Sequence, residues 1–101
     1  MLVGPEDRPV SRLCLGTGAI TSFIHMIENY NADIALCSDD GFTWWLHGAY
    51  AIDMDLCAIV VAHPVSEETG LISLARYLQQ TFPEFPVHHI PQRCMYQLVN
   101  P

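Results

Sequence analysis

The sequence predicts an α/β fold: a single βαβαβαβ layered domain whose largely parallel sheet carries helices on its faces. Three observations predict it. Short apolar runs of strand length alternate with segments whose apolar residues recur at helical spacing. The runs end in glycine or polar clusters, the punctuation expected of strand-to-helix turns. The chain has 101 residues, half of them hydrophobic, without internal repeats or low-complexity tracts, so it can build one modest core.

Residues 1–9 read as a linker or flexible N-terminus, because Gly4, Pro5 and Pro9 interrupt regular structure and Glu6, Asp7 and Arg8 favour solvent. The folded lobe is expected over residues 10–99. A first strand covers 10–15, and Gly16-Thr17-Gly18 supplies the tight turn after it. From residue 20 the apolar positions Ile20, Phe23, Ile24 and Ile27 follow i, i+3, i+4, i+7, which predicts an amphipathic helix ending near Tyr30. A second strand covers 32–37 and ends in Ser38-Asp39-Asp40-Gly41.

A weaker helix is expected over 42–52, since Gly48 costs it about 1 kcal/mol relative to alanine. Trp44 and Trp45 are adjacent and cannot share a helix face, so one is expected in the core and the other at an interface or pocket. The apolar run from Cys57 to Ala62 is the central strand. The next helix is expected from Ser66 to about Thr81, with Leu71, Leu74, Ala75 and Leu78 as its buried face and Pro83 as its stop. A fourth, edge strand is expected over 86–90 between Pro86 and Pro91, and residues 95–99 form a further short strand or a tail.

Charge excludes several function classes. Four arginines and no lysine face eleven carboxylates, a net charge of −7, and binding to phosphate backbones needs the opposite balance. No apolar run approaches the roughly 20 residues of a membrane span. Residues 1–20 lack a basic leader with an apolar block, so a cytoplasmic location is expected. Cys14, Cys37, Cys57 and Cys94 contain no CxxC pair, which leaves small buried thiols in a reducing compartment as their reading.

Chemistry is expected where the central strand ends, because α/β sheets hold ligands beyond the C-terminal ends of their strands. His63 stands there and Glu67 follows four residues later, so the two can converge on one cation. Glu67 also has a purely structural reading: with Glu68 it falls in a first helical turn that Ser66 would cap. Asp39 and Asp40 should lie on the same rim, as helix caps or as partners behind a metal ligand. His47 either points to that rim or fills surface. The Gly16-Thr17-Gly18 turn resembles a phosphate cradle but lacks the further glycine of a dinucleotide fingerprint and the Gly-Lys of a P-loop. His88 and His89 are adjacent and point to opposite faces of a strand, which argues against joint ligation.

These residues carry a resemblance. Asp7-Arg8-Pro9-Val10, then Gly16-Thr17-Gly18 with Ser22-Phe23-Ile24, then Ala32-Asp33 with the acidic turn Ser38-Asp39-Asp40, then Ala62-His63 to Glu67, occur in the order seen in the C-terminal lobe of the Nif-three-like family. This family is also described as GTP cyclohydrolase I type 2 or dinuclear metal-centre proteins. Its most specific motif is Gly-His, two variable residues, Thr or Ser, then Glu. Here Ala62 stands in the glycine position, and Cys37-Ser38 or Ser38-Asp39 stand where Thr-Gly is typical.

The resemblance implies that His63 and Glu67 ligate a dinuclear centre of divalent metal, zinc or iron, with Asp40 and His47 supporting the ligands from behind. It implies a contribution to metal-dependent hydrolysis of a nucleotide-like small molecule. Family members are about twice as long, and their other lobe supplies a His pair and an Asp that have no counterpart in this sequence. A homo-oligomer or a second lobe is therefore expected to complete the site. The alternative is a non-catalytic interaction or oligomerisation module that uses the exposed Trp and the apolar faces.

Overall fold

The computed structural model describes residues 1–95, 97 and 99. They divide into two compact units, Met1–His63 and Pro64–Pro101. The first unit holds a four-stranded sheet in the order β1-β4-β3-β2, built from β1 (Leu2–Val3), β2 (Leu13–Leu15), β3 (Ile34–Ser38) and β4 (Cys57–Val61). β2, β3 and β4 are parallel, and β1 joins β4 antiparallel. With its helices this is an α/β fold on a mostly parallel sheet, as the alternation predicts.

Residues on alternate positions divide the sheet into two faces. Cys14, Ala35, Cys37, Ala58 and Val60 face the core, where Phe23, Met26, Phe42 and Ala51 complete the packing. Phe23 and Phe42 meet edge to face with centroids 5.4 Å apart, and burying each ring contributes roughly 1.5–3 kcal/mol. On the other face the row Leu2, Ile59, Leu36 and Leu15 crosses all four strands. Strands apolar on both sides are the mark of parallel sheets. Burial of the Cys37 thiol in this core pushes its pKa up to about 11, so it stays protonated and inert.

Helix α1 (Phe23–Tyr30) begins three residues later than its periodicity suggests. Ser22 caps it by accepting the His25 N–H, and the turn before it leaves Ile20 95% exposed. Asn31 ends it in the left-handed conformation at φ 47°, donating its N–H to Ile27 O. The Arg12 guanidinium donates to the carbonyls of Tyr30 and Asn31, and Asp33 accepts from Ser11 and Arg12, so the end of α1 is tied to the start of β2.

Four expectations are corrected here. The presumed linker contains β1, because the open edge of β4 offers hydrogen bonds that even a two-residue strand can use. The helix over 42–52 is a π-helical turn, Trp44–Gly48, followed by α2 (Ala49–Asp53). Both tryptophans are exposed, Trp44 44% and Trp45 79%, because Phe42 and His47 take the core positions. Trp44 instead packs on the edge of Phe42 with centroids 5.0 Å apart.

The fourth correction concerns the second unit. Helix α3 (His63–Thr81) starts three residues before Ser66, so Ser66 is no cap and no acidic residue falls in its first turn. None of its residues is buried: Leu71 and Leu74 are 46% and 50% exposed. No strand forms over 86–90. That stretch is held by side chains of α3, since Gln79 donates to Phe85 O and accepts from Val87 N–H. Further along, Glu68 faces His89 Nε2 at 3.0 Å and accepts the Gln92 N–H. Eleven residues of helix between positions 79 and 68 rise about 16 Å, close to the span of the extended residues they hold. Within 95–99, positions 96 and 98 lie outside the described residues and the others carry no strand.

Candidate functional site

Parallel pairing of β3 with β4 places Ser38 beside Val61, so the turn after β3 and the junction after β4 share one rim. The turn is a single 3-10 turn, Asp39–Gly41. Gly41 has no room for a side chain: a Cβ there would lie 2.9 Å from Gly18 O. Gly18 itself sits at φ +66°, the left-handed region that glycine enters without strain. The glycine turn after β2 is thus a close-packed one, with its Gly18 N–H directed to the Ser38 hydroxyl at 3.0 Å.

From this packing follows a chain of hydrogen bonds whose directions are fixed by chemistry. Ser38, 2% exposed, accepts from Gly18 N–H and donates to Asp40 Oδ1 at 2.6 Å. Asp40 Oδ2 lies 2.7 Å from His63 Nδ1. The bond from Ser38, and then those from His63 with its positive charge, hold the Asp40 carboxyl below its ordinary value of 3.8. An ionised carboxylate only accepts, so Nδ1 carries the proton and the neutral ring keeps its lone pair on Nε2.

Asp39 grips the same histidine from the main chain, its Oδ1 accepting the His63 N–H at 3.0 Å. That N–H is the first of α3, so the helix cap expected of the acidic turn exists but serves a helix distant in sequence. Of the two roles open to the turn, Asp39 performs the cap and Asp40 the contact with His63.

The structure therefore brings Asp40 and His63 together. It holds His47 in different company. His47 is 7% exposed, accepts the Thr43 N–H on Nδ1 at 2.8 Å, and stacks obliquely on Phe23 and Phe42. Burial lowers its pKa below 6.5 and keeps it neutral. Glu67 follows His63 at i+4 in α3, a spacing that puts two residues on one face of a helix. Ser38 is the residue that inspection of the sequence passed over. Its signal was a serine two positions before an aspartate at a strand end.

An imidazole backed by a carboxylate and presenting Nε2 is the donor arrangement that divalent metals of the zinc type use. Among the described residues no group of three or more His, Cys, Asp or Glu side chains converges to hold an ion. The residues thus fit part of a coordination sphere. Among them also, no helix is long and apolar enough to cross a membrane.

Fold and rim together define an α/β domain with a carboxylate-supported histidine at the C-terminal ends of its parallel strands. The model of the Duf34/NIF3 (NGG1p interacting factor 3) family matches residues 1–94, and the chain belongs to that family. No curated protein and no solved structure matches the chain.

Proposed function

We propose that this chain is a metal-binding half-site of a NIF3-family protein. In this reading His63 Nε2 and the Glu67 carboxylate are ligands, and Asp40 orients the imidazole. The remaining ligands come from a second lobe or from another copy of the chain. The observation that carries the reading is the 2.7 Å contact between Asp40 and His63 Nδ1, which selects the tautomer able to ligate through Nε2. Borderline imidazole with carboxylate oxygen suits zinc or iron.

When bound, such a metal supplies a Lewis acid and an activated water suited to hydrolysis of a nucleotide-like substrate. The chain's own residues hold and orient. The acidic surface, net −7, favours a cation and disfavours a free anionic ligand.

Calorimetric titration with zinc tests the reading. The wild-type chain takes up zinc with a stoichiometry that rises as protein concentration is raised and copies share the ion. His63→Ala and Glu67→Ala each weaken uptake by at least about tenfold. Unchanged affinity and stoichiometry in both variants would reject the assignment.

A further inference from the structure

We infer that Ser38 is a positioning residue which, through Asp40, fixes the tautomer and direction of the His63 ring. The inference rests on the metal-binding reading for its purpose but not for its geometry. Each link has only one workable direction. Gly18 N–H can only donate, so the Ser38 oxygen receives it and its single proton is left for Asp40 Oδ1 at 2.6 Å. That bond fixes the carboxylate, whose other oxygen meets His63 Nδ1 at 2.7 Å.

Burial makes the arrangement specific. Ser38 is 2% exposed at the end of β3, a rigid strand between two neighbours, whereas Asp40 and His63 each expose about a third of their side chains. An Asp40 held only by His63 would turn toward water and let the imidazole change tautomer. The buried hydroxyl, itself fixed by the backbone of the glycine turn, removes that freedom. The result is a relay from one loop of the rim to another: Gly18 after β2, Ser38 and Asp40 after β3, His63 after β4. The closeness of Gly41 to Gly18 O keeps the first two loops in register.

Two measurements test this, one of them without metal. Long-range nitrogen–proton NMR on the metal-free chain is expected to show His63 with its proton on Nδ1. In Ser38→Ala, with folding checked by circular dichroism, both tautomers appear and zinc affinity falls about tenfold. Ser38→Thr, which keeps the hydroxyl, restores the Nδ1 proton. A folded Ser38→Ala that keeps a pure Nδ1–H tautomer overturns the inference. Should Ser38→Ala fail to fold, Asp40→Asn decides instead. Its neutral amide no longer demands the Nδ1 proton, so the proton moves to Nε2 in part or whole, and a spectrum unchanged from wild type overturns the inference. A wild-type chain that binds no zinc yet shows the expected tautomers defeats the metal reading and leaves the relay standing.

Discussion

His47 and His63 are the same residue type in two regions that the sequence marks alike, each a few positions after an acidic or polar turn. The structure gives them opposite tautomers. In the π-helical turn a backbone N–H points at Nδ1 of His47, which must accept, so its proton sits on Nε2. On the rim a carboxylate faces Nδ1 of His63, which must donate, so its lone pair sits on Nε2. The difference teaches that a histidine's use is decided by the atom facing Nδ1 and by how much of the ring is covered. His47 is a core ring with one polar anchor, and His63 is a presented ligand.

The largest expected effect follows from burial. His47→Ala leaves a cavity against Phe23 and Phe42 and strands the Thr43 N–H, costing about 2–4 kcal/mol in urea denaturation. His63→Ala, one-third exposed, changes stability by about 1 kcal/mol or less. Equal costs for the two would erase the contrast.

A smaller effect is pH dependence. Burial depresses the His47 pKa below 6.5, so as pH falls through that range the unfolded chain takes up a proton that the native one refuses. The contribution of neutral His47 is present above pH 6.5 and is lost on acidification. Protonation would also abolish the acceptor for Thr43 N–H. Urea midpoints between about pH 7.5 and 5.5 should fall with pH in the wild type and fall less in His47→Gln, which accepts but does not titrate. A parallel pH profile for the two would remove His47 as the cause. The smallest effect expected is on metal: His47→Gln should leave zinc affinity within about twofold, and a larger loss would return His47 to the site.

Much of the layered fold was legible because parallel strands announce themselves as apolar runs and α1 as a helical period. The rim was legible too, since Ser38-Asp39-Asp40 and His63 end neighbouring strands. What escaped had no periodic signal. β1 is two residues long and exists through its partner strand. The start of α3 hid because its cap, Asp39, lies 24 positions upstream, leaving Ser66 as the only local signal. The tryptophans misled because size suggested core, while Phe42 fitted there and left both outside. The stretch over 86–90 has the composition of an edge strand, but its partner is a glutamine side chain.

That glutamine, Gln79, does for the segment what a neighbouring strand does elsewhere: one primary amide serves the carbonyl of Phe85 and the N–H of Val87 together. Only a group with a donor and an acceptor side by side can do so. Glutamate would repel the carbonyl, lysine would ignore the N–H, and asparagine is one carbon too short. The course of the chain after α3 is therefore written in a single position of the helix, a code of one letter.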